Sequence, residues 1–255
     1  MTWAELVILL VAGGAAGFIN AMVGSGTLIT FPVLLAMGVP PVVANVSNTV
    51  GLAPGSLSGA LATRADLTGQ RTRVIRLGTA SLIGGIIGAA LLLRLPSAAF
   101  DTIVPVLIGL GCLLVITGPV ISRRMAARRE QLGMAESSPR GSVWLWLGVL
   151  ATGVYGGYFG AAQGVILIAI LGIGLTESLT RANAIKNTLS LIVNGIAGVV
   201  FVLVAEVNWW AAAAIAVGSV LGAQFGGKVG RKIPPTVYRA VIVAVGVAAI
   251  INVLR

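Results

Sequence analysis

The chain contains no histidine and only one cysteine, Cys112, among its 255 residues. Without histidine it lacks the commonest proton relay and metal ligand. A single cysteine inside an apolar run can build neither a disulfide framework nor a thiolate cluster. No metal site and no cofactor is therefore expected. Charge is scarce too: 9% of the residues are charged, and seven acidic residues face seventeen basic ones. Glu5, Asp66, Asp101, Glu177 and Glu206 all stand near the ends of apolar runs, so no carboxylate occupies the middle of one. With no nucleophile–base pair and no intramembrane aspartate pair, an enzyme is not expected. The net charge of +10 does not point to nucleic acid either. Its lysines and arginines sit in short connecting loops, where membrane proteins keep them.

What the chain has in abundance is apolar sequence, at 57% of its residues. Several runs approach the roughly 20 residues that cross a bilayer as a helix. The expected class is all-α integral membrane, with the lipid bilayer as its surroundings. The opening Met1-Thr2-Trp3 carries no positive stretch, so residues 1–23 read as a retained first helix and not a cleaved signal. Segments are expected at about 4–23, 26–38, 41–63, 74–93 and 99–121, then 143–160, 163–175, 183–205, 209–227 and 235–254. Residues 122–142 are polar and basic and read as a cytoplasmic linker between a first membrane repeat, 1–121, and a second, 143–255.

The two halves repeat one another. Ala44-Asn45 recurs as Ala182-Asn183, and Ser81-x-x-Gly84-x-x-x-Gly88 as Ser219-x-x-Gly222-x-x-x-Gly226, both 138 residues on. Earlier in each copy Gly17, Gly24 and Gly38 match Gly153, Gly160 and Gly174 at an offset of 136. The second segment of each copy is too short to cross. Each follows a glycine-rich break, Gly24-Ser25-Gly26 or Gly160-Ala161-Ala162-Gln163-Gly164. If each broken pair enters the membrane and returns, the copies have inverted topology. Fifteen of the seventeen basic residues then share one face, leaving only Arg94 and Arg255 opposite. If each pair makes a single crossing, the copies are parallel and the charges split ten to seven. The lopsided count favours two inverted-topology repeats of about five segments, with broken or re-entrant short helices near 24–38 and 160–175 and both termini outside.

Two constellations could carry function. The breaks would leave unpaired amides at helix starts, around Ser25, Gly26 and Thr27 and around Ala162, Gln163 and Gly164, and such a start attracts anions. Simple close packing of helices is the bland account of the same glycines. The second constellation is a polar stripe in each half, Asn45, Asn48 and Thr49 against Asn183, Lys186 and Asn187, at helical spacing. These groups could bind a ligand's oxygens or bond helix to helix. Lys186 could face the site or reach the cytoplasmic surface. The small-residue faces around Ser81 and Ser219 read as helix contacts, and they leave room for a homodimer.

The chain resembles the TauE/SafE family of sulfite exporter-like membrane anion transporters. The resemblance is carried by GFINAMVGSGTLITFPVLLAMG at 17–38, ANVSNT at 44–49, GVYGGYFGAAQG at 153–164 and ANAIKN at 182–187. It departs from the family where GAAQG replaces a glycine run and Ile168 stands where a proline is usual. The resemblance implies transport of a sulfur-containing anion such as sulfite, a sulfonate or a related carboxylate, in a bacterial inner membrane. An anion channel of the same fold and a non-transporting membrane scaffold are the alternatives.

Overall fold

A computed structural model describes residues 1–131, 142–175, 177–229 and 235–253. Arg140, Arg231, Lys232, Arg255 and residues 132–141 of the expected linker lie outside the described residues. The described residues form ten α-helices: α1 (Trp3–Met22), α2 (Thr27–Ala36), α3 (Pro41–Ala62), α4 (Arg71–Arg94), α5 (Ser97–Gln131), α6 (Val143–Tyr158), α7 (Gln163–Gly174), α8 (Leu179–Val204), α9 (Trp209–Val229) and α10 (Pro235–Val253). A short 3-10 turn, Arg64–Leu67, joins α3 to α4. Among the described residues there is no strand.

Local chemistry sets these boundaries. Thr2 and Glu5 form a reciprocal capping box at the start of α1. Ser142 and Ser178 accept the amides of Leu145 and Arg181 at the starts of α6 and α8. The Ser178 cap starts α8 four residues earlier than the polar stripe suggested. Helix α5 continues past residue 121 to Gln131 because Met125–Gln131 is a run of strong helix formers. Among the described residues, five helices are long and apolar enough to cross a membrane: α1, α4, α8 and the apolar parts of α5 and α9. Helix α3 has the length, at 22 residues, but its asparagines, serines and threonine make it polar. Trp3, Trp144, Leu179 and Leu203 are exposed outward, where lipid would cover them.

The two halves are interleaved. Helix α1 lies along α9, and α4 along α6, so each half's first helix packs on the other half's fourth. Small residues permit this approach. A Cβ on Gly17 would overlap the Ser219 backbone, and one on Gly222 the backbone of Gly14; Gly84 and Gly88 abut α6 in the same way.

Contact order along the helices gives direction. Gly13 and Gly17 meet Ile215 and Ser219, and Gly51 and Gly55 meet the same two residues, so α1 and α3 both run parallel to α9. Helix α2 joins α1 to α3 and therefore runs back between these two parallel helices. Helices α3 and α8 run antiparallel, because Ser56 pairs with Asn194 while the later Thr63 pairs with the earlier Asn187. Ser56 and Asn194 are 138 residues apart, which makes them counterparts. A pseudo-two-fold axis passes through their hydrogen bond, perpendicular to both helices, and inverts one repeat onto the other.

Polar clamps also tie the halves together. Glu177, just before α8, accepts from Gln70 at 2.7 Å and from Arg73 at 2.7 Å, and pairs with Arg181 at 3.1 Å. Arg181 also donates to the Thr68 carbonyl. The counterparts of Glu177, Arg181, Gln70 and Arg73 at the opposite end are Val39, Val43, Asn208 and Ala211, so this ionic clamp exists at one end only.

Candidate functional site

The two breaks meet at the centre of the molecule. Gly24 and Gly160 both adopt positive φ, at 80° and 77°, a conformation that favours glycine and lets each chain reverse. The amide of Gly164 donates to the Gly24 carbonyl at 3.0 Å, so the segments touch backbone to backbone. A side chain at either glycine would collide with the other. A Cβ on Gly160 would stand 3.8 Å from Thr27 Oγ1, so the starts of α2 and α7 are neighbours. Ala162 holds a left-handed conformation at φ 58°, a strain non-glycine residues carry mostly where surroundings enforce it.

Several polar groups here have no partner among the described residues. Ser25 is fully buried and Gln163 is 3% exposed, yet Ser25 Oγ and Gln163 Nε2 make no hydrogen bond. The amides of Ser25, Gly26 and Thr27 likewise find no acceptor, as expected at a helix start. Asn45 Oδ1 and Asn183 Oδ1 are also buried and unpartnered. Buried polar groups are ordinarily satisfied, so such a cluster calls for an explanation.

The polar stripes do two kinds of work. Asn45 Nδ2 donates to Tyr158 O at the end of α6, and its counterpart Asn183 donates to Ala21 O at the end of α1. Each asparagine thus caps the end of the other half's first helix, which fixes its amide orientation. Lys186 is fully buried, and its Nζ donates to Asn20 O at 3.0 Å and Ala21 O at 3.3 Å. It does not reach the surface. An ammonium carries three donors, so one remains beyond these two carbonyls. A Cβ on Gly164 would lie 3.0 Å from Lys186 Cδ, which places the lysine beside the break. Arg73 and Lys186 are the buried charged residues among those described, and no aspartate or glutamate is buried with them.

Asn48 is differently engaged. Its Nδ2 donates to Thr27 Oγ1 at 3.2 Å and its Oδ1 accepts from Thr30 Oγ1, both on α2. Thr49 donates to the Asn45 carbonyl one turn back. Asn187 donates to Thr63 at the end of α3, away from the breaks. Three residues at the breaks escape the sequence patterns. Asn20 and Tyr155, whose hydroxyl donates to Ala161 O at 2.6 Å, are single polar groups in apolar runs. Thr30, which holds Asn48, lies within a short apolar helix.

Known proteins match this chain along nearly its full length. The family model described as "Sulfite exporter TauE/SafE" matches residues 9–253. A protein of Haemophilus influenzae named "Probable membrane transporter protein" is 29% identical over 252 residues, covering 93% of this chain and 90% of that one. "Probable membrane transporter protein YfcA" of Escherichia coli is 26% identical over 224 residues, covering 84% and 76%. "Probable membrane transporter protein ORF9" of a Sinorhizobium species is 26% identical over 259 residues, covering 98% and 92%.

Proposed function

This chain belongs to the sulfite exporter TauE/SafE family, and from that premise we propose that it is a secondary transporter for a small, sulfur-containing anion. The substrate binds between the starts of α2 and α7. The observation that carries this reading is the meeting of two helix starts whose surrounding donors, Ser25 Oγ, Gln163 Nε2 and the amides of Ser25–Thr27, are buried without partners. Helix starts and free N–H groups favour negative charge, and the third proton of Lys186 adds a cation beside them. With no buried carboxylate among the described residues, no acidic side chain opposes an anion there. Asn48, Thr49 and Asn187 hold the framework, and Asn45 and Asn183 keep their amide nitrogens on the ends of α6 and α1.

Alternating access follows from the inverted repeats: one half moves against the other, exposing the shared midplane site to each face in turn. The arginine-rich ends of α3 and α4, with Arg64, Arg71 and Arg76, face the cytoplasm of a bacterium, and both termini face outward.

Thermal unfolding of detergent-purified protein with sulfite, sulfate, thiosulfate, simple sulfonates, thiol-carboxylates and chloride tests the reading. A ligand at about a hundred times its Kd adds ~2.7 kcal/mol. Selective stabilisation by one sulfur anion, lost in Lys186→Ala and Gln163→Ala, is expected. A flat panel refutes anion binding, and non-saturable flux favours a channel.

A further inference from the structure

The pseudo-two-fold axis sets two helix ends side by side for comparison. At the end of α1, Val23 and Gly24 donate to the Ile19 carbonyl, which leaves the next two carbonyls, of Asn20 and Ala21, to other partners. The ammonium of Lys186 takes both, and the Asn183 amide takes the second as well. At the end of α6 the same turn recurs 136 residues on, with Phe159 and Gly160 donating to the Tyr155 carbonyl. The carbonyls equivalent to those Lys186 holds are Gly156 and Gly157. Both residues are buried. No donor among the described residues reaches either oxygen. The counterpart of Lys186 is Asn48, whose amide is already committed to Thr27 and Thr30 on α2. Beside this helix end Asn45 is fully buried, and its Oδ1 has no partner because its Nδ2 is fixed on Tyr158 O.

A buried helix end needs something to satisfy its carbonyls. At the end of α1 the second half supplies a covalently attached cation, Lys186. At the end of α6 the same carbonyls recur, and the first half brings a free amide oxygen, Asn45 Oδ1, but no cation. Carbonyl, amide and water oxygens are the ligands that hard cations take, and the ends of interrupted helices are where transporters hold their coupling ions. The site has no carboxylate, which suits a monovalent ion better than a divalent one. Its neighbours tie it to the break, since a Cβ on Gly156 would run into the Gln163 amide, and one on Gly160 would stand 3.0 Å from Gly156 O and 3.8 Å from Thr27 Oγ1.

We propose that the end of α6 is a sodium site, formed by the carbonyls of Gly156 and Gly157 and by Asn45 Oδ1, where the ion plays the part that Lys186 plays at the end of α1 and couples cation entry to anion transport. The coupling clause rests on the reading that an anion occupies the adjoining helix starts; the ion site itself does not. The ion occupies the place of an ammonium, so it balances the charge of an anion held between α2 and α7 from the opposite side to Lys186.

The test melts the purified protein in sodium, potassium or choline chloride at one ionic strength, with and without the stabilising sulfur anion. Direct equilibrium binding of radioactive sodium accompanies it. Sodium-specific stabilisation that saturates without any anion is expected, together with tighter anion binding in sodium. Asn45→Ala should weaken sodium binding at least tenfold. Because that change also frees the α6 end, Asn45→Asp is run beside it; it keeps an oxygen at the site and should retain sodium binding. Anion stabilisation that is identical in all three salts, with no bound radioactive sodium, overturns the ion site and leaves the transport reading standing. Sodium binding without any anion response upholds the site and removes the transport reading. Equal sodium binding by wild type and Asn45→Ala also overturns the assignment.

Discussion

Removing Glu177 should loosen one end of the molecule far more than a surface carboxylate would. Its side chain is 14% exposed and that of Arg73 is 7% exposed, so the pair lies close to the buried limit. Breaking a buried pair by deleting one partner costs about 3–5 kcal/mol, because the other charge stays buried and uncompensated. The remaining exposure lowers this to roughly 2–3 kcal/mol, and the Arg181 pair, with the arginine 41% exposed, adds little. For a chain of this size each kcal/mol moves Tm by about 2–4 °C, so Glu177→Ala should melt on the order of 5–10 °C lower. The double variant Glu177→Leu with Arg73→Met should recover most of that loss, since an apolar pair can replace a buried ionic one.

The same residue fixes a pH dependence. Burial pushes the Glu177 carboxyl up, but hydrogen bonds from Gln70, Arg73 and Arg181 and the Arg73 charge outweigh it, leaving the group below its ordinary 4.5. A carboxyl depressed by folding contributes stability that is present above its unfolded value and lost as pH falls through the folded one. The gap in Tm between wild type and Glu177→Gln should therefore be constant near neutrality and close only below about pH 4.5. Fluorescence-detected unfolding across pH measures both effects. A loss under 2 °C for Glu177→Ala, or a gap that closes near neutral pH, would refute the reasoning.

Other substitutions probe other contacts. Gly17→Val should force α1 from α9, since even a Cβ there overlaps the Ser219 backbone; overpacking costs ~1–3 kcal/mol, read as a lower Tm and a poorer monodisperse yield. Gly164→Ala should abolish transport while its neighbour Gly172→Ala, which meets open space, leaves transport near wild type in a proteoliposome assay. Lys186→Met removes the buried ammonium and should cut anion affinity tenfold or more, whereas unchanged affinity would remove the lysine from the site.

Much of this architecture is legible in the sequence because hydrophobic length and glycine breaks are local signals. The segment ends at Met22, Ala36, Ala62 and Arg94 fall within two residues of the expected ones. The 138-residue offset that relates Asn45 to Asn183 also relates Ser56 to Asn194, although no local motif marks Ser56. What stays hidden is pairing across the halves. Nothing in the spacing of Ser81, Gly84 and Gly88 says that their partner is α6 instead of a neighbour in their own repeat. The stripe spacing likewise groups Asn48 with Asn45, yet one holds α2 and the other caps α6, because each side chain's partner depends on a helix that folds against it from a distance. Lys186 is the clearest case. Its position near the start of α8 is compatible with reaching the surface, and only the end of α1, brought by the tertiary fold, supplies the carbonyls that keep it inside.

The most direct measurement is the position of a bound substrate analogue in a crystal. Selenite replaces sulfite with a heavier atom whose anomalous scattering marks its place without ambiguity. The account predicts one peak between Ser25–Thr27 and Ala162–Gly164, within reach of Lys186 Nζ, and its loss in crystals of Lys186→Met. A peak elsewhere, or none at concentrations that stabilise the protein against unfolding, would contradict a substrate site at the meeting of the two broken helices.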